Sequence, residues 1–398
     1  MLVHRLRALT ITLVVFAVAA CGDSSSGGSS SGLRWPGEEW FVSTPEAEGM
    51  DSTILEGARE YAFAEGRNTQ GVVVVRNGAI VAEWYAEGAG PTTLATSWSM
   101  AKSFAGTLIG IAIDRGDIPS LDVPLTEFFP QWRGTDKEGV TLRHLLEMRS
   151  GIEWNEITDN IPLYGNNTDQ LTVALNRPQR FAPGTAWNYS SADSMLISGV
   201  IEAATGRSAK EYAEEHLLGP IGLPGEWWID ASGHALTYCC LDAPTREYAR
   251  FGLLFARGGE WDGRQVVSRE WVEEATRPLA EAPFYGLHWW SNSNRAMAPN
   301  APAELFAARG LHSQDIYVIP SLDLVVVRNG LYERAGTEAV RTGANFHRTQ
   351  APSSWSVDEF LAPVLASITD AEPAQVASTA SVAERERVRE AEAAAGLR

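Results

Sequence analysis

Ser99 and Lys102 lie three residues apart in Ser97-Trp98-Ser99-Met100-Ala101-Lys102-Ser103, immediately ahead of a long apolar run. If that segment is helical, hydroxyl and amine share one face. A lysine amine takes a hydroxyl proton only when it is neutral, so burial and neighbouring charge must pull its pKa down toward neutrality. A helix N-terminus helps twice. Its N–H groups point at developing oxyanion charge, and the positive end of its dipole disfavours the ammonium form. The chain has only three lysines, Lys102, Lys137 and Lys210, against 29 arginines. Arginine keeps its proton in proteins, so a lysine at this position is what base chemistry demands.

A second group, Trp187-Asn188-Tyr189-Ser190-Ser191-Ala192-Asp193, follows about 90 residues later, led in by Phe181-Ala182-Pro183-Gly184-Thr185. Taken on its own residues, Tyr189 is either a phenol that handles a proton or an aromatic packed at a helix start. The S-x-x-K pattern, then Pro-Gly, then Tyr-x-Ser together resemble the β-lactamase-related serine hydrolases. These comprise class C β-lactamases, serine D-amino-acid peptidases, family VIII esterases and 6-aminohexanoate-dimer hydrolases. The likeness extends over roughly residues 40 to 365, through His144-Leu145-Leu146-Glu147-Met148-Arg149-Ser150-Gly151-Ile152, Gly219-Pro220-Ile221-Gly222-Leu223, Arg246 to Gly252 and Gly258-Gly259-Glu260-Trp261.

The resemblance implies an α+β, β-lactamase/penicillin-binding-protein-like fold. It makes Ser99 the nucleophile, Lys102 the general base and Tyr189 the phenol that relays the proton to the leaving group, with no metal or organic cofactor. The activity implied is hydrolysis of a small ester or amide through an acyl-enzyme on Ser99.

Two departures bear on substrate. Penicillin-recognising members carry Lys-Thr-Gly on the strand lining the site, whereas here the corresponding stretch is Ala308-Arg309-Gly310-Leu311-His312-Ser313-Gln314. That run looks more like the 6-aminohexanoate-dimer hydrolase and esterase branch. The resemblance therefore assigns the oxyanion hole to the N–H groups of Ser99 and Leu311, with Gly310, His312 and Gln314 along the substrate. Ser191, also assigned to substrate binding, stands where β-lactamases have asparagine, and its shorter hydroxyl cannot reach an acyl-amide group in the same way. His312 either lines the pocket or satisfies a backbone carbonyl. Arg309 either replaces the missing lysine as a carboxylate clamp or faces outward. Trp227, Trp228, Trp289 and Trp290 either wall an acyl pocket or pack the core. Within the same fold the alternative is a β-lactamase or D-amino-acid peptidase acting on cell-wall-like substrates. Outside catalysis it is a lipid-tethered binding protein without turnover.

These residues need elements to hold them. Val72-Val73-Val74-Val75-Arg76 and Ala79 to Tyr85 are two β-rich runs joined by Asn77-Gly78, a strong hairpin signal. A second pair, Asp315 to Pro320 and Asp323 to Arg328, turns around Pro320-Ser321-Leu322. Between them the patterning is helical: Phe104 to Ile113 is apolar nearly all round, and Leu142 to Met148, Asp193 to Thr205, Ala209 to Leu218 and Thr245 to Ala256 have helix-like spacing. An antiparallel sheet built from both chain ends, flanked by helices and joined by a mainly helical lobe, is the expected architecture. Residues 39–369 are the expected hydrolase domain.

Composition narrows the partners. Among 398 residues, 44% are hydrophobic, ample for a buried core, and 50 acidic against 32 basic side chains give a net charge of -18. That field opposes a phosphate backbone, so nucleic acid is not an expected partner. Residues 1–20 have a basic start and an apolar stretch too short to span a bilayer comfortably, the layout of a secretion signal. They end in Val18-Ala19-Ala20-Cys21, which resembles a bacterial lipobox with Cys21 as the lipid-bearing residue. Residues 21–38 open with a Gly/Ser-rich run that reads as a flexible tether. The expected location is the bacterial cell envelope, lipid-anchored, on the periplasmic or outer face. Cys239 and Cys240 read as small core residues or, alternatively, as a vicinal bridge. The Ala-, Glu- and Arg-rich residues 370–398 form either a solvated helix or a disordered tail. Oligomeric state has no signature in the sequence.

Overall fold

The computed structural model describes residues 32–159, 169–341, 348–371 and 382–395. The signal segment, Cys21 and most of the tether lie outside the described residues.

Six strands form one antiparallel sheet: β1 (Thr69–Arg76), β2 (Ala79–Tyr85), β3 (Trp290–Ser291), β4 (Phe306–Gly310), β5 (Gln314–Ile319) and β6 (Leu324–Gly330), in the order β2-β1-β6-β5-β4-β3. Asn77 and Gly78 both have positive φ, 52° and 75°, which a two-residue turn of the primed type requires. Leu324 to Arg328 of β6 pair with Arg76 to Val72 of β1, so the early and late hairpins close into one sheet.

Val72 to Val75 form an unbroken apolar run because both faces of the sheet are covered. Val73 and Val75 pack into the core on one face, with Phe104, Phe251, Ile316 and Val327. Val72 and Val74 pack into the other, with Leu55 of α1 (Ser52–Ala62), Tyr317, and Phe360. Alternation along a strand delivers successive side chains to opposite layers.

α2 (Met100–Asp114) runs through the first layer and is buried from Met100 to Ala112. Against it packs α3 (Ser191–Thr205), started by Ser190, whose hydroxyl accepts from the Asp193 N–H. α4 (Thr245–Ala256) lies on the sheet beside them, and α5 (Val357–Ala366) covers the opposite face with α1. The helix expected over Ala209 to Leu218 continues past Ala213 as a π-helical turn, Glu214–Leu218. The final described helix, α6 (Val382–Ala394), is neither fully solvated nor disordered: Val388, Ala391 and Glu392 on it are buried.

Candidate active site

Ser99 caps α2, and the turn that presents it is unusual. Trp98 adopts φ 44°, a left-handed conformation that bulky residues seldom take. It is held there from both sides. The Ser97 hydroxyl donates to the Trp98 carbonyl (3.0 Å) and accepts from the Leu241 N–H (2.9 Å), while the Trp98 indole N–H donates to Thr349 Oγ (2.7 Å). Ser99 itself is half-buried, so its hydroxyl remains open to a ligand.

Lys102 is one turn further on and is 1% exposed. Its Nζ contacts three oxygens: Ser99 Oγ at 2.9 Å, Ser191 Oγ at 3.1 Å and the Tyr238 carbonyl at 3.0 Å. The carbonyl can only accept. Ser191 Oγ also accepts from the amine, because its own proton goes to Glu156 Oε1 at 2.5 Å. A neutral amine has two N–H bonds for those two acceptors, which leaves its lone pair facing the Ser99 hydroxyl. Burial drags the Lys102 pKa down to about 8, and the charge on Glu156 partly opposes that fall.

Tyr189 is buried, its ring centroid 4.9 Å from Lys102 Nζ. Around it stand Trp187, Tyr285 and Trp290, with centroids 5.9 to 6.3 Å away. The sheet supplies the opposite wall. A Cβ at Gly310 would lie 2.3 Å from the Ser97 carbonyl and 3.0 Å from the Ser99 nitrogen, so only glycine lets β4 lie this close to the Ser99 turn. Leu311 follows at the strand end. His312 and Ser313 then take φ near 60°, and Arg328 donates to both of their carbonyls, at 2.6 and 3.0 Å.

Ser99, Lys102, Tyr189, Ser191, Gly310, Leu311 and His312 thus converge, but two expectations need correction. Gln314 does not face a ligand: it is fully buried, its Oε1 accepting from the Gly330 N–H at 2.9 Å and Asn329 at 3.2 Å. Arg309 is neither a clamp nor outward-facing, since strand alternation sends it to the layer opposite Gly310. There it pairs with Asp315 (3.3 Å) and Glu392 of α6 (2.5 Å). Of the two readings open for Trp227, Trp228, Trp289 and Trp290, packing in the core is the one observed, since all four are buried. Ser191, assigned to substrate, is buried and engaged by Lys102 and Glu156. His312 stays half-buried with Nδ1 2.7 Å from Thr349 Oγ. Cys239 and Cys240 are bridged to each other and buried, next to the Tyr238 carbonyl that holds Lys102.

Several residues at the site carried no signal in the sequence. Glu156 accepts from the Ser191 N–H (3.0 Å) and the Trp154 indole (2.6 Å) as well as from the Ser191 hydroxyl. His288, buried, places Nδ1 3.0 Å from the Lys102 carbonyl, which fixes the proton on that nitrogen because a carbonyl cannot donate. Burial and the neighbouring Lys102 push its pKa down to about 3, so the ring is neutral. Asp193 accepts from Ser150 (2.7 Å) and Ser190 (3.2 Å), and burial lifts its carboxyl to about 7.

The 6-aminohexanoate-dimer hydrolase of Paenarthrobacter ureafaciens is 24% identical over 289 residues, 65% of this chain and 72% of that protein. Esterase EstB of Burkholderia gladioli is 29% identical over 142 residues, 31% of this chain and 36% of EstB. The fold is shared with a penicillin-binding protein homologue from Caulobacter crescentus, at TM-score 0.58 and 18% identity over 71% of this chain and 92% of that one. A family model described as Beta-lactamase matches residues 57–341, well over half of the sequence, and the chain therefore belongs to the Beta-lactamase family of serine hydrolases.

Proposed function

We propose that this chain cleaves small carboxylic esters or amides through an acyl-enzyme on Ser99. Neutral Lys102 takes the Ser99 proton as Oγ attacks the carbonyl carbon, and the oxyanion rests on the N–H groups of Ser99 and Leu311. Tyr189 donates a proton to the departing alcohol or amine. Water, activated by the same Lys102 and Tyr189, then adds to the acyl carbon, and collapse of that intermediate returns the proton to Ser99 and frees the acid.

The observation that carries this reading is the contact set of Lys102 Nζ: two obligatory acceptors and one hydroxyl that can donate to it. An ester or amide is favoured over a β-lactam because the cation on the substrate-lining strand, Arg309, is engaged by Asp315 and Glu392 and turned from Ser99. The relatives named Esterase EstB and 6-aminohexanoate-dimer hydrolase support the same choice. In this proposal a lipid at Cys21 anchors the protein to the bacterial envelope, a reading supported by the lipobox-like sequence that ends at that residue.

Intact-mass analysis after exposure to short-chain nitrophenyl esters and a small amide panel tests the assignment. An acyl adduct on Ser99, absent from Ser99→Ala, is expected. Undiminished ester turnover by Ser99→Ala would overturn it.

A further inference from the structure

α6 has no part in the chemistry of Ser99, yet it is anchored at the site. Its buried residues Val388 and Ala391, with Ala395 just past its end, recur at three- and four-residue spacing and join the apolar cluster that contains Tyr189, Phe284 and Tyr285. Arg387 donates to the Glu281 carbonyl at 2.6 Å, and its guanidinium stands 6.0 Å from the Phe284 ring. Glu392, also buried, reaches 2.5 Å to Arg309, one residue before Gly310. Breaking a buried ion pair leaves a carboxylate without compensation, so this contact fixes the helix firmly to β4.

Between α6 and Tyr189 lies a cleft of about 480 Å³, the size that suits a small ligand. Trp187, Asn188 and Tyr189 line one side, and Arg387, Glu390 and Ala394 line the α6 side. The small side chains of Ala391 and Ala394 keep the slot open, and the two charges border it.

We propose that α6 is a wall of the substrate cleft and sets its size selectivity, admitting slender acyl or leaving groups beside Tyr189 and excluding bulky ones. The proposal rests on the reading of Tyr189 as lying next to the scissile bond. It makes Ala394 a specificity-determining residue that sequence composition would assign to a solvated tail.

The test compares kcat/KM for nitrophenyl acetate with that for a naphthoyl nitrophenyl ester. Two variants are used: Ala394→Trp in the full chain, and a chain ending at Ala371. Filling the slot is expected to lower the naphthoyl-to-acetyl ratio at least about tenfold, and removing α6 to raise it by a similar factor. Should truncation prevent folding, Ala394→Trp decides alone. A ratio that stays within about twofold of the parent in every folded variant would overturn the proposal. Intact mass of the parent with nitrophenyl acetate separates the two levels: no Ser99 adduct sinks the catalytic reading, whereas an adduct with an unmoved ratio sinks only this one.

Discussion

Lys102 and Arg309 are both buried cations near the same serine, yet their surroundings differ in kind. Lys102 touches a hydroxyl pair and a carbonyl, and the nearest carboxylate, Glu156, acts through Ser191. Burial therefore dominates and pulls the amine down to about 8. For Arg309 burial also opposes the charge, but Asp315 and Glu392 outweigh it and hold the guanidinium ionised. One environment makes a base; the other makes a fixed structural ion pair. The lesson is that the identity of the touching oxygen, neutral or anionic, decides whether a buried cation is available for proton transfer.

The contrast breaks most visibly when each cation is replaced by methionine. Lys102→Met is expected to lower kcat by about 10³-fold or more on a short-chain ester, and Lys102→Arg to fare no better, since guanidinium keeps its proton. The same Met variant should nevertheless melt at or above the parent at neutral pH. The sign follows from the lowered pKa: below about 8 the folded state carries a charge that burial disfavours, a penalty relieved as pH rises from about 8 toward the ordinary 10.5. Arg309→Met should behave oppositely, losing about 3–5 kcal/mol in urea denaturation because Asp315 and Glu392 are left buried without their partner. A neutral Arg309→Met melt would contradict the structural role of this ion pair.

A smaller effect sharpens the Lys102 half of the comparison. Activity of the parent should climb through about pH 8 as the amine loses its proton. Glu156→Gln removes the charge that holds that pKa up, so the rise should move to lower pH while the plateau falls by no more than about tenfold. A pH profile of kcat/KM reads both, and an unmoved acid limb would remove Glu156 from the electrostatics of the site.

Much of this was legible in the residues. Ser99, Lys102 and the Asn77-Gly78 hairpin are local signals, where spacing alone fixes a shared helix face or a turn, and the helices over Thr245 to Ala256 and Ser191 to Thr205 followed their apolar period closely. Glu156, Thr349, His288 and the Tyr238 carbonyl were not legible, because each reaches the site from a separate segment and none has a local pattern. A carbonyl has no side-chain signature at all. Arg309 and Gln314 were misplaced for a different reason. Once Gly310 is pressed against Ser99, period-two alternation already sends Arg309 to the other layer, and Gln314, opposite Gly310 in the ladder, is enclosed by Asn329 and Gly330. The tail misled through composition: alanine reads as bland surface, yet on α6 it is what permits close approach.

The near-contact of Gly310 with the Ser99 turn has a consequence for when the protein can work. The two N–H groups proposed to receive the oxyanion belong to opposite ends of the hydrolase segment and become neighbours only after the late hairpin has docked beside the early one. A chain halted before that docking holds its serine and lysine on one helix but lacks the second N–H, so turnover would report completed assembly of the sheet rather than formation of the helix.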